Sequence, residues 1–331
     1  MGEATHMPKT IPLAAPLPSP HSPGEQLFDT QHCRTTVLQA RRRLRASTPM
    51  VDVADFTVSQ DGGSGSLETR LFWPRSLAVP RSSPPSHVAA AAGGACALVV
   101  HQYSVMGGSQ ELMRGMARCF PLHHGVTAVT LSLRGAGGSS GCASLTGHAE
   151  VDDVVVVGQW LQAAGFTRIL LVCCSAGGPI GGSALDRLPA FTGFVALGYV
   201  FGWWASLLFG RHYQAVLDSA KPKLFVQGDR DEFTSVAQLR DWVVPRSRSQ
   251  VTETQVLPGV SHFALEGSLW DAAAAQMAVD FATRVGAWGN VPAAQASGSA
   301  PEDGAAAFTA SASAKHGCGA QCSHCPKPTH D

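Results

Sequence analysis

Several short stretches of this chain are apolar at every position and then stop at a turn. ACALVV (95–100) and ILLVCC (169–174) are two of them, and FVALGYVF (194–201) opens in the same way. Successive side chains of a strand point to opposite faces, so a strand with no polar position must be covered on both faces. Segments with helical spacing lie between these runs, among them SQELMRGMARCF, HAEVDDVVVVGQWLQAAG and LWDAAAAQMAVDFATRV. Strands alternating with helices predict an α/β fold: a mostly parallel central sheet with helices on both faces. DFTVSQDGGSGSLETRLFWP reads differently, as two strands joined by a Gly/Ser turn, which places an antiparallel hairpin at one edge.

Composition narrows the partners. Apolar residues make up 45% of the chain and charged residues 15%, enough for a sizeable core. Basic and acidic residues balance at 24 each, which gives no electrostatic reason to bind nucleic acid or an anionic membrane. The expected partner is a small molecule. Nine cysteines, an odd number, and the lack of an apolar N-terminal segment before a small-residue cleavage site argue against a secreted disulfide framework. A cytoplasmic location is expected. The alternative is the chloroplast or another organelle, because RRRLR at 41–45 sits in an acid-poor segment, as in transit peptides. Residues 188–210 carry no charge and are long enough to span a bilayer. They also contain four glycines and separate groups that must meet, so they read as a buried strand and an apolar wall, with no transmembrane segment.

Three parts follow. Residues 1–50 are rich in Pro, His, Ser and Thr and are expected to be disordered. Residues 51–288 form the ordered domain. Residues 289–331 form a flexible Ala/Gly/Ser-rich tail that ends in a Cys/His cluster. In that cluster His316, Cys318, Cys322, His324, Cys325 and His330 are soft metal ligands by type. The C-x-x-C at 322–325 lacks a second pair at standard spacing, so no metal and no cofactor are expected.

The chemistry centres on VCCSAGGPIGGSA. A buried strand runs into Ser175, then into glycines and a helix, and a sharp turn of this kind lifts the hydroxyl above the sheet. Strand and helix come close there, so the residues two before and two after must be small; they are Cys173 and Gly177. A serine that only caps the helix is the alternative. What separates the two readings is the order downstream. A serine hydroxyl needs a base, and the base needs a third group to hold its tautomer. Downstream of a strand–serine–helix elbow of this kind the order is serine, acid, histidine. KLFVQGDRDEFTS sets Asp229, Asp231 and Glu232 just past one strand, and VTETQVLPGVSHF sets His262 past the next. Ligands of such sheets gather at those strand ends. Spacing alone leaves the choice among the three acids open. For the oxyanion, one donor is the N–H of Ala176, and the other comes from HQYSVMGG, through Tyr103 or Gln102. His101 is expected to shape that loop, since it has no acid to orient it.

LVVHQYSVMGGSQ, LRGAGGSSG, VCCSAGGPIGGSA, LFVQGDRDEFTSV and LPGVSHFALEG together resemble the α/β-hydrolase superfamily, over roughly residues 55–285. More closely, they resemble a small group of serine hydrolases found in plants and green algae. The resemblance implies the α/β-hydrolase fold and a triad of Ser175, His262 and Asp231, with Asp229 as the second choice of acid. It also implies cleavage of a carboxylic ester or thioester through an acyl-enzyme. Two positions depart from the pattern: Cys173 stands where glycine is usual, and Ser132 where many relatives carry an acid. The segment between FVALGYVF and KLFVQG is about one helix long, too short for a large cap domain. Its Trp203, Trp204, Leu207, Leu208 and Phe209 either line an acyl pocket or pack the helix onto the sheet; Trp203 and Trp204 are the candidate substrate-binding pair. Two other functions fit the same residues: an acyltransferase using this triad, and a silent binding protein on this fold.

Overall fold

Eight strands form one sheet in the order β1-β2-β4-β3-β5-β6-β7-β8. They belong to a computed structural model described over residues 50–60 and 65–289. β1 (Val51–Ser59) and β2 (Ser66–Pro74) make the antiparallel edge hairpin, with its turn at 61–64 outside the described residues. β2 pairs antiparallel with β4 (Thr127–Leu131). The remaining strands, β3 (Ala95–Val100), β5 (Arg168–Cys174), β6 (Phe191–Leu197), β7 (Lys223–Gly228) and β8 (Thr252–Leu257), join in parallel. The helices are α1 (Pro85–Ala91), α2 (Gln110–His124), α3 (His148–Ala163), α4 (Gly177–Ala184), α5 (Trp203–Asp218), α6 (His262–Leu265) and α7 (Asp271–Arg284).

The apolar runs serve two cores at once. Cys96, Leu98 and Val100 of β3, with Ile169, Leu171 and Cys173 of β5, enter the core under α3, α4 and α5. Their neighbours Ala97, Val99, Leu170, Val172 and Cys174 enter the core under α2 and α7. With both faces dry, no position in these strands can be polar without a buried partner.

The glycines after Ser175 let α4 lie against the sheet. A Cβ on Gly177 would stand 2.4 Å from the His101 carbonyl oxygen, and one on Gly181 would stand 2.4 Å from the Cys173 sulfur. Bulk is missing there because two backbones and a thiol fill the space.

β3 lies between β4 and β5, so the chain leaves it first toward one neighbour and later toward the other. The loops after β3 and β5 therefore diverge and leave a crevice at the C-terminal edge, where sheets of this kind hold ligands.

Two local differences from the sequence reading have physical causes. SVAQLRDWVV is not one helix but a short α-helical turn (Val236–Gln238), a π turn (Leu239–Val243) and a 3-10 turn (Val244–Arg246). Pro245 has no N–H to continue an α-helical ladder. α1 adds a helix that was not expected; its Pro85 at the first helical position was the available signal. The uncharged stretch 188–210 divides into β6 and the start of α5, and no helix of the described residues is long and apolar enough to cross a membrane. Only α5 lies between β6 and β7, so no separate cap domain is inserted there. The N-terminal segment 1–49 and the tail from 290, with its Cys/His cluster, lie outside the described residues.

Candidate active site

Ser175 follows directly on β5 and has φ of +53°, in the left-handed region that residues with a Cβ seldom occupy. Two backbone bonds hold it there: its N–H donates to the Leu197 carbonyl (2.9 Å), and its carbonyl accepts from Gly178 N–H (2.8 Å). The turn aims Oγ above the sheet, 2.8 Å from Nε2 of His262. On the far side of the ring, Nδ1 is 2.6 Å from Oδ2 of Asp231. The other oxygen of Asp231 accepts the N–H groups of Phe233 and Thr234, each at 2.9 Å, which fixes the carboxylate. With Nδ1–H donating to Asp231, the neutral imidazole presents a lone pair on Nε2 to the hydroxyl.

The three acids of GDRDE have separate partners. Asp231 meets the imidazole; Asp229 accepts Gly259 N–H (2.7 Å), and Glu232 accepts the backbone N–H of His262 (3.0 Å). His262 opens α6, whose first turn is capped by the Ser261 hydroxyl. The sheet thus brings together side chains that follow β5, β7 and β8.

Nε2 of His262 has a second neighbour. Oε1 of Glu266, one helical turn later, is 3.4 Å away. Burial pushes the imidazolium pKa down, but the hydrogen bonds and charges of Asp231 and Glu266 outweigh it and raise the value to about 9.

A cavity of about 250 Å³ opens over Ser175 and His262. Gln102, Tyr103 and Ala176 line one side of it, and Ala205, Leu208 and Phe209 of α5 another. The Tyr103 carbonyl accepts from Met106 and Gly108 N–H at 3.0 Å each, its hydroxyl donates to the Leu145 carbonyl (2.5 Å), and its ring meets Phe209 edge-on at 5.3 Å. Among the described residues, neither the Ala176 N–H nor the Tyr103 N–H donates to another protein group. His101, one residue before Gln102, is fully buried. Its Nδ1–H donates to the Gln102 carbonyl (2.6 Å) and its Nε2 accepts Leu133 N–H (3.0 Å). Burial lowers its pKa to about 4, so the ring stays neutral and pins the loop after β3 to the loop after β4. Among the described residues, no three His, Cys, Asp or Glu side chains are grouped to hold a metal ion.

No protein-family model matches the sequence, and no curated protein matches it. Solved structures do. A lidless α/β serine hydrolase from Xanthomonas campestris is 23% identical, with a TM-score of 0.53 over 74% of this chain and 97% of its own. An α/β serine hydrolase homologue from Coxiella burnetii is 21% identical, with a TM-score of 0.50 over 70% and 96%. An esterase from Pyrococcus furiosus is 16% identical, with a TM-score of 0.52 over 72% and 95%. The chain has an α/β-hydrolase fold.

Within that α/β-hydrolase fold, one expected site residue is misplaced. Trp203 is 69% exposed and is not among the residues that line the cavity. It shares a face of α5 with Leu207, one turn on and also exposed, while Ala205, Leu208 and Phe209 turn inward. From this helix the cavity wall comes from Ala205, Leu208 and Phe209 instead. The side chain of Trp204 lies outside the described set. Among the cavity residues not singled out in the sequence are Phe233, Phe263 and Glu266. H-F-A-L-E held a signal for the last of them, since an i, i+4 pair shares a face of a helical turn.

Proposed function

We propose that this protein is a serine hydrolase that cleaves a carboxylic ester or thioester through Ser175, His262 and Asp231. The observation that carries the reading is the unbroken series of contacts from hydroxyl to imidazole to carboxylate, 2.8 Å and 2.6 Å long. Ser175 Oγ attacks the acyl carbon as Nε2 of His262 takes its proton. Asp231 holds the ring in the right tautomer and stabilises the imidazolium that forms. The carbonyl oxygen becomes an oxyanion, for which the free N–H groups of Ala176 and Tyr103 are the donors. Collapse breaks the bond to the alcohol or thiol, which leaves with the proton from Nε2, and an acyl-serine remains. Water then attacks the acyl-serine by the same route: His262 takes its proton and returns one to Ser175. A protein that only binds needs none of these contacts. The catalytic unit in this proposal is residues 51–288.

A fluorophosphonate probe tests the reading, because it reacts with an activated serine and not with an ordinary one. The wild-type chain is expected to label at Ser175, and Ser175→Ala to lose the label and the hydrolysis of simple aryl esters. A wild type that stays unlabelled, or a Ser175→Ala protein that labels equally, overturns the proposal.

A further inference from the structure

We propose that Glu266 forms a leaving-group subsite that selects esters whose alcohol carries a cationic ammonium over esters whose alcohol carries a carboxylate. This rests on the serine-hydrolase reading and adds a substrate class to it. In acylation the proton taken from Ser175 passes through Nε2 of His262 to the departing oxygen, so that oxygen must come within hydrogen-bond reach of Nε2. Glu266 Oε1 is 3.4 Å from the same nitrogen. The departing oxygen therefore lies no more than about 6–7 Å from the carboxylate, and a group two or three bonds further out can reach it.

The surroundings favour a cation. Among the described residues that line the cavity, Glu266 is the only Asp, Glu, Lys or Arg. Among the described residues its one ion-pair partner is His262, so no Lys or Arg neutralises it. Its side chain is 19% exposed, and in a cavity otherwise walled largely by apolar side chains its charge is less screened than on an open surface. Phe233 and Phe263 line the same cavity, edge-to-face at 5.8 Å, with ring centres 4.6 Å and 5.6 Å from the His262 ring. Aromatic faces beside a carboxylate suit an alkylammonium, which a ring quadrupole attracts and an apolar wall tolerates. Apart from His262, which must be neutral to take the serine proton, no described residue lining the cavity offers a positive side chain to an anionic alcohol, which Glu266 repels.

Three butyrate esters measure this on the full chain: those of choline, of its neutral isostere 3,3-dimethylbutanol, and of 3-hydroxypropanoate. In the wild type, kcat/KM for the choline ester is expected to exceed that for the neutral ester at least tenfold, with the anionic ester disfavoured to a similar degree. In Glu266→Gln the preference for the choline ester and the discrimination against the anionic ester should each shrink at least fivefold relative to the wild type, whatever happens to the absolute rates, because the intrinsic reactivity of each ester is the same on both proteins. Tetraethylammonium should slow fluorophosphonate labelling of Ser175 in the wild type and not in Glu266→Gln. Equal kcat/KM for choline and neutral esters in the wild type, or ratios that survive the substitution, overturn the subsite. If Ser175 labels while the ratios are flat, the subsite alone fails. If Ser175 does not label and no ester is cleaved, the hydrolase reading fails and takes the subsite with it.

Discussion

At Ser175 the chain accepts an awkward backbone for the sake of a direction. A non-glycine residue at φ +53° costs on the order of 1–2 kcal/mol, which the surrounding bonds from Leu197 and Gly178 must offset. The same local logic governs His262. Burial lowers its proton affinity, yet the carboxylates of Asp231 and Glu266 raise it further, to about 9. Below that value the imidazolium has no lone pair on Nε2 to receive the serine proton, so the rate rises as pH rises. The acid limb of kcat/KM is expected near pH 9, not near the ordinary histidine value of 6.5, and Glu266→Gln should move it to lower pH. A pH–rate profile on a neutral ester checks this; a limb near 6.5 in the wild type contradicts it. From spacing alone Asp231 was legible only as one of three acids, and the resemblance was needed to prefer it, because a run such as DRDE fixes which loop the acids occupy but not which carboxylate turns inward. The separate backbone partners of Asp229 and Glu232 decide that, and they depend on the turn after β8.

Among the elements, the packing of α7 on α2 contains an avoidable penalty. Asp271, the first residue of α7, is turned against the backbone of α2 near Gly115 and Met116, and burial pushes its carboxyl up to about 7. An acid whose folded pKa lies above its unfolded value binds more protons in the folded state, so stability falls as pH rises from about 4 to 7 and stays lower above that. Asp271→Asn removes the charge and keeps the shape. It is expected to add about 1–3 kcal/mol at pH 8, discounted for partial solvent access, and little at pH 4. Urea midpoints of both proteins at the two pH values check this; equal midpoints at pH 8 contradict it. α5 shows where sequence reading stops at this scale. WWASLLF declares an apolar segment, but which residues face the cavity depends on the rotation of the helix, and that is set by what lies beneath it. Tyr213 and Val216 are buried further along the same helix and fix that rotation, leaving Trp203 outside.

At the scale of the molecule, the fold was legible because both dry faces of the sheet impose apolar runs, and the serine–acid–histidine order was legible because each group follows a strand. Glu266 and the two phenylalanines were not, since they come together only once the segments after β7 and β8 have folded against each other. The sheet is also uneven in strength. β3, β5 and β6 each have neighbours on both sides, whereas β8 pairs only with β7, and most of its side chains are half-buried. Hydrogen exchange read by mass spectrometry should find the amides of β5 the slowest and those of β8 markedly faster, because edge pairings open without global unfolding. Equal protection across the two strands contradicts this. The proposed nucleophile, Ser175, stands over the strong middle of the sheet, while the proposed base, His262, hangs from its weak margin. Warming should therefore silence turnover before the molecule melts: the last strand loosens, the imidazole drifts, and a protein still largely intact is left holding an unarmed serine.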